Sequence, residues 1–177
     1  MFLARSQYNQ PCMKTLVRTL ISLCLTVWIG AELFFPGLAA VTFTTLSPDT
    51  HTAGRIVGTC LRILHWEGLV AGVLLLVLTV AASRLAMLSR RSLRIALTLL
   101  VVMLSLTAVS QFGIIPRMET YRVEAGGSVN AAALDDPARV AFQHLHKTSE
   151  HVEEAVLFLG LVLVGVLAAD PTACKKA

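Results

Sequence analysis

The chain has 177 residues, of which 55% are hydrophobic and 15% charged, and its mean hydropathy is +0.71. A soluble globular domain carries about 25% charged residues, so this composition favours a membrane protein. The net charge of +4 and the pI near 9.1 do not indicate nucleic-acid binding, because the basic residues flank apolar runs and form no patch on a polar surface. Neither a disulfide framework nor a cysteine metal site is predicted, since no CxxC spacing relates Cys12, Cys24, Cys60 and Cys174.

Four segments are long and apolar enough to cross a bilayer core of about 30 Å, which requires about 20 helical residues. They are predicted at 17–47, 54–83, 94–116 and 139–169. A transmembrane domain at 16–169 then lies between an N-terminal segment at 1–15 and a tail at 170–177. The predicted fold is therefore all-α, an integral membrane four-helix bundle embedded in the lipid bilayer.

The Lys and Arg residues near the span ends predict the orientation. Nine lie on the side of the two termini and the middle loop, against six on the opposite side. Both termini are therefore predicted to be cytoplasmic, and the small size and short loops favour a bacterial inner membrane. The connection at 117–138 is predicted as a mobile loop, with Asp135 or Asp136 followed by Pro137 starting the fourth helix.

Glu32 is the one charged residue in the run from Thr19 to Pro48. A carboxylate at membrane depth costs about 2.5–3.5 kcal/mol on insertion scales. Pro36 has no N–H to donate to the carbonyl of Glu32, which predicts a helix kink at this point. We therefore expect Glu32 to face the bundle interior and to pair with an Arg or His of another span.

All four predicted spans place polar residues in one layer, the outer third of the membrane. The candidate polar site consists of Glu32, Arg62, His65, Glu67, Gln111, Arg117, His151 and Glu154. His65 and Glu67 point about 160° apart on a helix, so at most one of them is expected to contact a ligand. Gly68 and Gly72 have GxxxG spacing, which permits close helix packing either within the bundle or in a homo-oligomer.

Four stretches carry a family resemblance: "WIGAELFF", "TAGRIVGTCLRILHWEGLVAG", "FGIIPRMETYR" and "FQHLHKTSEHVE". Over about residues 15–169 they resemble the transmembrane protein 205-like family. A fainter similarity, in span count and polar placement only, runs to the copper-resistance D type of membrane bundle. The first resemblance implies a four-helix membrane protein without an agreed biochemical activity, and it assigns no functional residue.

The preferred functional hypothesis is binding or translocation of a small polar solute or cation, as in a transporter. Glu32 is then the main carboxylate, and mixed imidazole and carboxylate groups suit a divalent transition metal or a proton-coupled step. The metal candidates are Glu32, His65 and His151. An enzyme is not favoured, because the chain has no GxSxG motif and no Ser, His and Asp set at a common depth.

Two alternatives remain open. In the first, the protein is structural and the polar residues form an interhelical ion-pair latch made of Glu32, Arg62, Glu67, Arg117 and Glu154. In the second, His65 and His151 are the axial ligands of a haem in a redox protein. The sequence does not indicate a particular cofactor.

Overall fold

The computed structural model describes the backbone of residues 2–170 and the side chains of residues 10–170. The predictions for residues 171–177, which include most of the predicted tail, lie outside this range. The elements are α1 (Phe2–Thr45), α2 (Thr50–Arg84), α3 (Arg90–Val109), a π segment (Ser110–Ile114), α4 (Ile115–Glu124) and α5 (Pro137–Ala168). All regular structure in the described range is helical, which confirms the predicted all-α class.

Four continuous helical stretches are long and apolar enough to cross a membrane: Gln10–Thr45, Thr50–Arg84, Arg90–Glu124 and Pro137–Ala168. The third of these stretches comprises α3, the π segment and α4, which follow one another without a break. The predicted number of spans is confirmed on length and composition. We call the end of the bundle that carries the segments 46–49 and 125–136 the two-loop end.

Local capping explains where α5 begins. The Asp136 carboxylate accepts hydrogen bonds from the backbone N–H groups of Ala138 (2.8 Å) and Arg139 (3.0 Å), and Pro137 occupies the first helical turn. Of the two predicted start signals, the structure therefore uses Asp136. The region after Pro116 differs from the prediction, because helix continues to Glu124. Pro116 follows the π segment within this continuous stretch, so the helix passes through a residue that has no N–H to donate.

The bundle packs α1 on α2, α2 on α3, and α5 on α1, α3 and α4. The core is apolar and includes Trp28, Leu75, Leu100, Met103, Val156 and Leu163, all fully buried. Large apolar side chains cover the outside, among them Leu23, Ile63, Val77 and Phe158. An apolar exterior around polar interior groups is the arrangement expected of helices surrounded by lipid.

Gly68 and Gly72 let α1 approach α2 closely within one chain. A Cβ at Gly68 would lie 2.6 Å from Nε1 of Trp28, and one at Gly72 would lie 2.9 Å from Cζ3 of the same indole. Both glycines are buried by this packing. Within the chain, the indole of Trp28 occupies the space in front of both glycines, and a homo-oligomer through Gly68 and Gly72 stays a prediction.

Candidate functional site: a buried polar cluster

Polar side chains from all four spans meet above the apolar core. We call this group the polar cluster: Glu32 on α1, His65 and Glu67 on α2, Ser110 and Gln111 in the π segment, and Glu153 on α5. It borders the core directly, because Trp28 lies one helical turn before Glu32 and Val156 lies three residues after Glu153. The cluster therefore replaces apolar packing with hydrogen bonds and charge at this level of the bundle.

His65 is the centre of the hydrogen-bonded part and is fully buried. Its Nδ1 lies 3.1 Å from Oε1 of Gln111, and its Nε2 lies 2.7 Å from Oε1 of Glu153. The hydroxyl of Ser110 donates to the same Glu153 oxygen at 3.0 Å. One imidazole thus connects α2, the π segment and α5.

Ser110 and Gln111, the first two residues of the π segment, both reach this network. A single π turn inserted in a helix changes the register of the side chains that follow it. Ser110 is fully buried, and Gln111 next to it is half-buried. Two consecutive residues therefore hydrogen-bond into the same cluster, one through Glu153 and the other through His65.

The geometry limits where protons can reside in the His65–Glu153 pair. Gln111 presents its carbonyl oxygen, so Nδ1–H of His65 donates to it. Nε2 of His65 and Oε1 of Glu153 then share one proton. Either an imidazolium donates to a carboxylate, or a protonated carboxyl donates to a neutral imidazole. Both arrangements leave the pair without net charge.

The carboxyl part of the cluster has more acceptors than donors. The buried oxygens without a hydrogen-bond partner are Oε1 of Glu32, both carboxyl oxygens of Glu67 and Oε2 of Glu153. Glu32 is only 3% exposed and interacts electrostatically with both Glu153 and Glu67. Three acidic groups in a low-dielectric interior need positive charge, protons or hydrogen-bond donors to balance them.

The prediction that Glu32 pairs with an Arg or His of another span is therefore wrong for the described residues. No Arg or His side chain among residues 10–170 pairs with its carboxyl group, and its charged neighbours are acidic. The indole N–H of Trp28 is near enough to interact with Glu32 electrostatically, but the two do not reach hydrogen-bonding geometry. Pro36 lies inside α1, which continues through it as a helix to Thr45.

The other predicted residues lie outside the cluster. Arg62 and Arg117 are exposed, and Arg62 interacts with Glu119 on α4. His151 and Glu154 are 78% and 75% exposed and contact each other at 3.3 Å. The ion pairs expected of the latch are therefore not formed within the described residues.

Neither the metal nor the haem arrangement is assembled. His151 is exposed, whereas both ring nitrogens of the buried His65 already contact Gln111 and Glu153. In the range that the structure describes, no three His, Cys, Asp or Glu side chains converge closely enough to hold a metal ion. Glu32, His65 and His151 thus do not form one coordination site.

Sequence reasoning missed Glu153 and Ser110. The missing signal lies in the small and apolar residues of α5, whose buried positions are Ser149, Val156, Gly160 and Leu163. Glu153 completes their four- and three-residue spacing, being four after Ser149 and three before Val156. The polar stripe through His151 and Glu154 is conspicuous in the sequence, yet it faces outward.

These features define a multi-pass integral membrane protein with a buried acidic and imidazole cluster between its helices. A family model described as "Domain of unknown function (DUF4149)" matches residues 23–126, and the chain belongs to this family. The matched region contains every cluster residue except Glu153, which α5 contributes from outside it. Comparison with curated proteins and with solved structures gave no match.

Proposed function

We propose that the protein binds a small cation at the polar cluster, as a step in moving that cation across the membrane. The main support for this proposal is a set of four buried carboxyl oxygens that accept no hydrogen bond; they belong to Glu32, Glu67 and Glu153. An unpaired carboxylate in an apolar interior costs several kcal/mol, and a bound cation removes that cost. Glu32 is the central group, because it interacts with both other carboxyl groups.

These carboxyl oxygens favour a cation with N–H groups, such as ammonium or a primary amine, over a bare metal ion. A metal ion needs several oxygens within about 2.0–2.6 Å of one point, whereas N–H···O hydrogen bonds extend over about 2.7–3.2 Å. The cluster has acceptors on different helices and no convergent metal-ligating group among the described residues. An ammonium group can donate to several such acceptors at once.

The two-loop end is proposed as the outer face, which rests on the excess of Lys and Arg at the opposite end. The same proposal places the protein in a bacterial inner membrane. A relationship to the transmembrane protein 205-like family also remains a proposal, supported by the four quoted segments alone.

Thermal unfolding in mild detergent tests cation binding. At constant ionic strength, added methylammonium should raise Tm. A concentration of about 100 times Kd should stabilise the protein by about 2.7 kcal/mol, or about 5–10 °C for a chain of this size. Glu32→Gln should abolish the shift, whereas Glu154→Gln, which alters an exposed carboxyl group, should keep it. An absent shift, or an equal shift in both variants, contradicts the proposal.

One observation favours a structural role as the second candidate. The network of His65, Gln111, Ser110 and Glu153 occupies both imidazole nitrogens and connects three spans without any ligand. A purely structural cluster predicts that Glu32→Gln changes Tm by the same amount with and without methylammonium. The same experiment therefore separates the two functions.

A further inference from the structure

We infer that each cation bound at the polar cluster displaces one proton from the His65–Glu153 pair, so that the site exchanges a cation for a proton. This inference rests on the proposed cation binding. It adds the ion that leaves, and it assigns the proton to a particular pair of side chains.

Glu153 connects the two halves of the cluster. Its Oε1 contacts His65 and Ser110, while its buried Oε2 has no partner, and its charge acts on Glu32. A cation seated between Oε2 of Glu153 and the carboxyl group of Glu32 therefore approaches a pair that already holds a shared proton. When Glu153 is ionised, the pair contains an imidazolium, whose positive charge and that of the cation repel each other in a low-dielectric interior.

Gln111 allows the proton to leave without depriving Nδ1 of His65 of its hydrogen-bond partner. With the carbonyl of Gln111 facing His65, both imidazole nitrogens carry hydrogen when Glu153 is ionised. If the Nδ1–H bond breaks, its electron pair stays on Nδ1 and the proton passes to water. Rotating the Gln111 amide by half a turn then lets its N–H donate to Nδ1, while Nε2–H still donates to Glu153.

The charges balance across this exchange. The titratable groups of the cluster are Glu32 on α1, His65 and Glu67 on α2, and Glu153 on α5, whereas the π segment contributes only the neutral Ser110 and Gln111. One positive charge enters as the cation and one leaves as the proton. The net charge of the buried site is unchanged, which avoids the cost of adding charge to the membrane interior.

Methylammonium binding measured as a function of pH tests the exchange. If one proton leaves per cation, the affinity should rise tenfold for each pH unit. His65→Gln should make the affinity independent of pH, because an amide cannot release that proton. His151→Gln is the matched control, since it changes an exposed imidazole on α5, and it should keep the tenfold dependence.

Each other outcome has a distinct meaning. Wild-type binding that does not depend on pH overturns the exchange but leaves cation binding intact. A tenfold dependence that persists in His65→Gln overturns the assignment to the His65–Glu153 pair. Absence of methylammonium binding overturns the proposed function and the exchange together. If His65→Gln fails to fold, Gln111→Met provides the second test, because a side chain without an amide cannot follow the proton and should remove the pH dependence.

Discussion

The contact between His65 and Glu153 offers a direct measure of how strongly the cluster holds the helices together. The two side chains are 88 positions apart in sequence, their atoms approach to 2.7 Å, and they are 0% and 14% exposed. The same chain contains a natural control: His151 and Glu154 form a pair of the same residue types at 3.3 Å, 78% and 75% exposed. A double-mutant cycle to alanine on each pair compares burial at constant chemistry.

We expect a coupling energy of about 1.5 kcal/mol for His65→Ala with Glu153→Ala. Hydrogen bonds to charged groups contribute about 1.5–3 kcal/mol, and the largest interhelical values measured inside membranes are about 1.7 kcal/mol. The exposed pair should couple by less than about 0.5 kcal/mol. Its partners also lie three residues apart on one helix, so they can remain in contact when the bundle comes apart but the helices persist.

The assay is equilibrium unfolding of the detergent-solubilised protein with increasing sodium dodecyl sulfate, followed by near-ultraviolet circular dichroism. Each cycle requires the wild type, two single variants and the double variant. Equal coupling energies for the two pairs would refute the assignment of His65 and Glu153 as an interhelical contact. A single variant that does not fold can be replaced by His65→Gln or Glu153→Gln in the same cycle.

Two further predictions concern packing and capping. Gly68→Ala should lower the free energy of unfolding by about 1–3 kcal/mol, because its Cβ would lie 2.6 Å from the buried indole of Trp28. Gly58→Ala on the same helix meets nothing within 4 Å, so an equal loss in both variants would contradict this packing. The Thr52 side chain and, next, the Thr52 backbone N–H lower the pKa of Asp49 below its ordinary value of 3.8 by hydrogen bonding to its carboxylate. The contribution of Asp49 to stability is therefore present at neutral pH and is lost as the pH falls below that value. Asp49→Ala should therefore lower Tm at neutral pH but not under strongly acidic conditions, and Asp49→Asn, which keeps the cap, should melt like the wild type at neutral pH.

The number of helices and the start of the last one could be predicted from local sequence patterns. Four apolar runs of sufficient length predict four helices, since a chain in lipid must satisfy its backbone hydrogen bonds within each segment. The start of α5 was also visible, because Asp136 and Pro137 are a capping signal that acts over three residues. The continuation of helix to Glu124 was not, because a proline inside a helical pattern, here Pro116, predicts that the helix ends or kinks there.

The sequence alone predicted only some of the residues of the candidate site. His65, Glu67, Gln111 and Glu32 stood out as polar residues in apolar surroundings, and the structure places all four in the polar cluster. On α5 the choice between Glu153 and Glu154 depended on which face of the helix is buried. A side chain one position away points about 100° around the helix, so the adjacent acid faces outward.

The sequence by itself determined the kind of molecule, because hydrophobic length and helix capping are properties of contiguous residues. Only the tertiary structure decided which polar groups meet. The rotation of each helix is set by packing against its neighbours, such as Trp28 against Gly68 and Gly72, and not by its own polar pattern. The partner of His65 is therefore Glu153 and not His151, and Glu32 lies among carboxyl groups with no arginine of residues 10–170 beside it.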